Sequence, residues 1–177
     1  MSHGLPIGVW LTPCKADAAW LDPLINRLSA DHGTPPFAAH VSLHVGRVAD
    51  EAQARDILDR VAARHAPLTL TAGATGHGAA RFRAVYIDLP TGPLRDIAAA
   101  LALRIEPDPA FSLDAHLSLI YAELPPAVRV ALADGNDHRG RRLHFDDIVA
   151  VAPAAGENDF DNVPGWRIVA RAPLRGL

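Results

Sequence analysis

Along the chain, short apolar runs alternate with stretches whose apolar residues recur every three or four positions, a switching of period that predicts strands and helices in an α+β order. Residues 5–11 are a short apolar run closed by Thr12-Pro13, as in a buried strand. From Asp17 the period changes, and Trp20, Leu21, Leu24, Ile25 and Leu28 form one helical stripe that Gly33 and Pro35-Pro36 stop. A strand over residues 39–45 follows. Asp50 then caps a second helix carrying Ile57, Leu58 and Val61, with Pro67 beyond its end. Residues 68–74 and 81–89 read as a hairpin turning at Gly76-His77-Gly78. Thr91-Gly92-Pro93 opens a third helix with Leu94, Ile97, Leu101 and Ile105, closed by Pro107 and Pro109. A strand over 115–121 comes next. A short helix runs from Pro125-Pro126 through Leu132 and breaks at Asp134-Gly135-Asn136. Strands over 143–152 and 166–172 form a closing pair around a loop from Gly156 to Gly165.

The order strand, helix, strand recurs in each half, and the second strand of each half begins with one pattern: His40-Val41-Ser42-Leu43 and His116-Leu117-Ser118-Leu119. In an extended strand residues i and i+2 share a face. Each copy therefore sets an imidazole beside a hydroxyl and backs them with apolar side chains. If the two strands lie together, two imidazoles and two hydroxyls converge. No linker or low-complexity run separates the halves, so residues 1–177 are expected to form two lobes of one α+β unit.

That set suits phosphoryl chemistry. Hydrolysis of a cyclic phosphodiester needs a base for the attacking water and an acid for the departing sugar oxygen. Histidine, with an ordinary pKa near neutrality, serves as either. The serine hydroxyls can bond the non-bridging oxygens, where charge changes. A single His-x-Ser-Leu carries little weight among 9 histidines, but two copies at equivalent places in two halves do. His44 follows His40 at i+4 on the same predicted face, and a rise of about 3.3 Å per residue separates the two by roughly 13 Å, too far to share one ion. His44 is placed at the cleft mouth or in solvent. His77 lies between glycines in a predicted turn, His3, His32, His65, His138 and His144 have no motif around them, and all six are assigned to the surface. Residues 73–78 lack the spacing of a phosphate loop. Ser112 and Cys14 sit beside no recognisable base and are read as structural. Trp10 and Tyr121 are candidates to stack on a nucleobase, although strict alternation puts Tyr121 on the face opposite His116.

Composition narrows the partners. With 177 residues, 49% hydrophobic and 21% charged, the chain is expected to fold as a globular protein. A net charge of −3 and a pI near 6.3 argue against a sequence-independent grip on duplex nucleic acid. The lone cysteine excludes an internal disulfide and a multi-thiolate zinc site. The N-terminus lacks a basic region followed by an apolar one, and no apolar run reaches membrane-spanning length, so a cytoplasmic protein without membrane contact is expected.

The chain resembles the 2H phosphoesterase superfamily, whose signature is two His-x-Ser/Thr motifs each followed by an apolar residue, and within it the yeast and plant cyclic phosphodiesterases. Val9-Trp10-Leu11-Thr12-Pro13, Pro36-Phe37-Ala38-Ala39-His40, Phe82-Arg83-Ala84-Val85-Tyr86-Ile87 and His116-Leu117-Ser118-Leu119-Ile120-Tyr121 are similar to that subfamily's segments in order, with a weaker match over 166–169. The resemblance implies a bilobal fold with pseudo-twofold symmetry, antiparallel sheets flanking a central cleft and helices outside. It implies hydrolysis without metal or cofactor, with His40 and His116 as acid and base and Ser42 and Ser118 on the phosphate. Tyr121 and Trp10 are implied at the substrate. The implied substrate is a small nucleotide bearing a cyclic phosphate, either ADP-ribose 1″,2″-cyclic phosphate or a nucleoside 2′,3′-cyclic phosphate, acted on by a monomer. Two other readings use the same four residues: a nucleotide-binding module without turnover, and RNA end processing as in 2′,5′-RNA ligase-like proteins.

Overall fold

Residues 4–176 are described by a computed structural model; His3, assigned above to the surface, lies outside them. The strands are β1 (Leu5–Pro13), β2 (Val41–Val48), β3 (Leu68–Thr71), β4 (Thr75–His77), β5 (Val85–Asp88), β6 (Glu106–Pro107), β7 (His116–Ile120), β8 (Arg142–Ala152) and β9 (Arg167–Pro173). The helices are α1 (Lys15–Asp31), α2 (Glu51–Ala62), α3 (Arg95–Ala102) and α4 (Pro126–Gly135). All strands belong to one antiparallel sheet in the order β3-β8-β1-β2-β7-β5-β4, with β6 added to β2 and β9 to β8. β2 and β7 touch through a single pair, Val41 with Leu117. The sheet therefore has two halves, and they meet where the two motifs lie.

The halves of the sheet are not the halves of the chain. β8 and β9, from the C-terminal third, join β1 and β2, and α2 and α3 cover that half. α1, from the N-terminal third, packs on β7, and α4 covers β4 and β5. Because β1 and β2 pair directly, their connecting helix is free to lay its buried stripe of Leu21, Ile25 and Leu28 over the neighbouring half.

Two local expectations change. Residues 68–74 and 81–89 do not form a hairpin: β3 pairs with β8, Leu68 opposite Phe145, while β4 is a separate strand pairing with β5, Thr75 opposite Ile87. Gly76 lies within β4, where a Cβ would come 2.7 Å from the Tyr86 ring. Its sequence signal is a close approach, not a turn. α1 begins at Lys15, and Asp17 does not open it. Its carboxylate is buried and accepts from the His144 backbone N–H at 2.7 Å, from the Trp20 indole N–H at 3.2 Å and from His144 Nδ1 at 3.1 Å, tying helix to strand. Asp50 caps α2 as expected, accepting the Gln53 N–H at 2.8 Å. No helix among the described residues is long and apolar enough to cross a membrane.

Candidate functional site

The antiparallel pairing of Val41 with Leu117 sets Ser42 across from His116 and His40 across from Ser118, one step along each strand. Val41 and Leu117 are fully buried in the core, so the four polar side chains point the other way. Three of them, His40, Ser42 and His116, line a cleft of about 340 Å³.

The two imidazoles are held alike. His40 Nδ1 lies 2.7 Å from the carbonyl oxygen of Ala38, and His116 Nδ1 lies 2.7 Å from that of Asp114. Only an N–H can bond a carbonyl, so in neutral rings the proton sits on Nδ1 and the lone pair on Nε2. At His40 that lone pair accepts the Tyr121 hydroxyl at 3.2 Å.

Each motif strand also bulges at its leucine. Trp10 pairs with Ser42 and Val9 with His44, leaving Leu43 as an extra residue on β2; Tyr86 pairs with Ser118 and Val85 with Ile120, leaving Leu119 extra on β7. A bulge displaces the in-and-out alternation by one residue. The cleft face therefore continues at the fifth residue after each histidine, which is Val45 in one strand and Tyr121 in the other, and both line the cleft. This is how Tyr121 reaches the histidines against strict alternation. The same device overturns the placement of His44. It is 5% exposed, on the opposite face, with its Nε2 unpartnered and its ring edge-on to Phe111 at 6.2 Å.

Aromatic rings from separated segments surround the set. Trp10 stacks on His40 with centroids 3.7 Å apart and planes 12° apart, and Phe37 stacks on Tyr121 at 3.7 Å and 14°. Trp166 meets Trp10 edge-on at 5.2 Å, and its indole N–H donates to the Phe160 carbonyl at 3.0 Å. Trp10 lines the cleft but gives one ring face to His40. Phe82, Phe111, Phe160 and Trp166 supply the further aromatic wall. None was singled out from the sequence as a site residue; the available signal was aromatic residues in connecting segments between strands. Ser112 also reaches the wall. Ser118 stands apart from Ser42: it is 5% exposed and donates to the Phe82 carbonyl at 2.8 Å.

Burial sets the electrostatics. Desolvation pushes the His40 imidazolium down to about 4, against the favourable bond to Ala38 and with a small further push from His116. His116 is also lowered, mainly by desolvation and further by Arg83, while the Asp114 carbonyl and the Asp114 and Asp88 carboxylates oppose it. Burial raises the Tyr121 phenol, which stays a donor. Between the ordinary histidine value and about pH 4 the unfolded chain binds a proton at position 40 that the folded chain does not. Stability is therefore full above about pH 6.5 and falls as pH drops through that window, by on the order of 3 kcal/mol for this group. Urea denaturation at pH 7 and pH 4 is expected to show the loss and a smaller one in His40→Gln; equal losses would remove His40 as the cause.

Among the described residues, one group has the spread of a metal-binding set: Cys14, Asp17 and His144, whose ligand atoms lie within 4.8 Å of one another. None of the three lines the cleft.

Comparison with known proteins places this architecture. No family model and no curated protein matches the chain. Among solved structures, TT0787 of Thermus thermophilus aligns with a TM-score of 0.64 at 16% identity, over 97% of this chain and 99% of that one. Escherichia coli LigT complexed with 3′-AMP aligns with a TM-score of 0.58 at 16% identity, over 97% and 99%. A structure described as a phosphoesterase gives 0.57 at 17%, over 96% and 98%. The likeness spans nearly the whole of each chain, and the fold is the one the sequence resemblance implies.

Proposed function

We propose that this protein is a phosphodiesterase that opens a ribose cyclic phosphate to a phosphomonoester, with its two motif histidines making both proton transfers. The observation that carries the reading is the matched pair of imidazoles, each with Nδ1 on the carbonyl two residues before it and Nε2 left for the reaction. The fold shared with LigT, which was crystallised with 3′-AMP, supports a nucleotide phosphate in the cleft.

Environment divides the roles. His40 is buried, stacked on Trp10 and neutral at pH 7, and its Nε2 lone pair already accepts a hydroxyl proton; it is the base. A water takes the place of the Tyr121 hydroxyl on that lone pair. His116 is less buried, and although desolvation lowers it, the Asp114 and Asp88 carboxylates oppose that lowering and an anionic phosphate beside it favours its charged form further; it is the acid. Water oxygen bonds to phosphorus, one ring P–O bond breaks, the water proton passes to His40 Nε2, and the His116 Nε2 proton passes to the departing ribose oxygen. Ser42 bonds a non-bridging oxygen. Ser118, occupied by the Phe82 carbonyl, holds the wall that Phe82 forms.

The test is incubation of the protein with ADP-ribose 1″,2″-cyclic phosphate and the four nucleoside 2′,3′-cyclic phosphates in EDTA, followed by phosphorus NMR. Conversion of a cyclic resonance to a monoester is expected. Folded protein that binds these compounds and converts none would favour the binding module; conversion only of longer RNA ends would favour end processing.

A further inference from the structure

A second cavity adjoins the cleft. It is a groove of about 480 Å³, and Val45 and Phe160 belong to the walls of both. Its floor is β2 itself, at Gly46, where a Cβ would come 2.0 Å from the Glu106 carbonyl oxygen. One wall is β6 and the turn after it, fixed to that floor by the pairs Gly46 with Pro107 and Arg47 with Glu106 and by the Asp108 N–H donating to the Val45 carbonyl at 2.9 Å. Three carboxylates line the groove: Glu106 and Asp108 on this wall and Asp159 opposite. The one cation in the lining is Arg47, whose guanidinium donates to the Gly4 carbonyl at 2.7 Å.

The cleft brings no compensating charge. Among the described residues no lysine or arginine lines it. Arg83, beside His116, is paired with the Asp114 carboxylate, and the Arg81 guanidinium donates to the Asp161 carbonyl. The site thus offers one phosphate a set of histidines and a serine, and offers a second phosphate a corridor of carboxylates.

We infer that this groove is a subsite for the part of the substrate that extends beyond the cleft, and that it admits uncharged groups and rejects a second phosphate. The inference rests on the proposed hydrolysis of cyclic phosphates and narrows its substrate to nucleoside cyclic phosphates with no other phosphoryl group. Compounds carrying a pyrophosphate, a 5′-phosphate or a further nucleotide are disfavoured because their added charge meets the solvent-exposed carboxylates of Glu106, Asp108 and Asp159 within a Debye length, where salt at low concentration leaves the repulsion in place.

The experiment compares kcat/KM for cytidine 2′,3′-cyclic phosphate, for its 5′-phosphorylated form and for a dinucleotide ending in the same cyclic phosphate. The expected result is a value at least about tenfold lower for both phosphate-bearing compounds at low salt. The gap should narrow with added salt and in E106Q/D108N/D159N, in variant protein whose circular dichroism matches the wild type. Equal or higher kcat/KM for the 5′-phosphorylated compound, with the plain one still hydrolysed, overturns the inference and leaves the proposed function standing. An unchanged gap in the folded triple variant also overturns it. Hydrolysis of ADP-ribose 1″,2″-cyclic phosphate with no nucleoside 2′,3′-cyclic phosphate hydrolysed also overturns the inference, and hydrolysis of none of these compounds refutes the proposed function and the inference with it.

Discussion

Replacing either His40 or His116 with alanine is expected to lower kcat by at least about 100-fold, because each substitution removes one of the two proton transfers and nothing else in the cleft replaces it. Neither Cys14 nor His144 lines that cleft, and the other buried histidine, His44, faces away from it. The two variants should differ in stability. His40→Ala leaves Trp10 without its stacking partner and the Tyr121 hydroxyl without its acceptor, at a cost of about 1–3 kcal/mol, offset in part by removal of a desolvated imidazole. His116 is less buried, and its loss should cost less. Steady-state kinetics beside urea denaturation separate the two effects. Turnover within a few fold of wild type in either variant would dismiss that histidine from the chemistry.

The paired serines should respond unequally, although their motifs match. Ser42→Ala is expected to lower kcat about 100-fold with little change in stability, as for loss of a donor to the charge that develops on the phosphate. Ser118→Ala strands the Phe82 carbonyl, which now accepts the serine hydroxyl at 2.8 Å, and should cost about 1–3 kcal/mol of stability with a smaller kinetic loss. Measured kcat and denaturation midpoints for the two variants decide the matter. Equal kinetic losses at unchanged stability would return Ser118 to the phosphate.

Much of this was legible in the chain. The change of period marked α1, α2 and α3, Pro125-Pro126 and Asp134-Gly135-Asn136 bracketed α4, Asp50 marked the start of α2, and the repeated His-x-Ser-Leu marked the two strands that meet at Val41 and Leu117. What hid the rest was the extra residue at Leu43 and Leu119. Strict alternation is right for His40 with Ser42 and for His116 with Ser118, and wrong one residue later, so it sends His44 toward the cleft and Tyr121 away from it. Bulge positions depend on the partner strand, and neither leucine looks different from any other core leucine. The aromatic wall was hidden for another reason: Phe82, Phe111 and the Phe160/Trp166 pair come from three connecting segments that only the folded sheet brings together. Gly76 was misleading because glycine marks close backbone approach as well as turns, and in β4 the approach is to Tyr86.

The division of labour between the histidines is tested most directly by the pH dependence of kcat/KM on a hydrolysed cyclic phosphate, with circular dichroism confirming the fold at each pH. A base at His40 and an acid at His116 predict a bell: activity falls on the acid side as His40 takes a proton and on the alkaline side as His116 loses one, and because burial lowers His116 too, the alkaline limb begins below the ordinary histidine value in the free enzyme. Trp10→Ala, which opens His40 to water, should move the acid limb to higher pH, because desolvation is the main cause of its low pKa. A rate independent of pH from about 4 to about 9 would contradict the two-histidine mechanism.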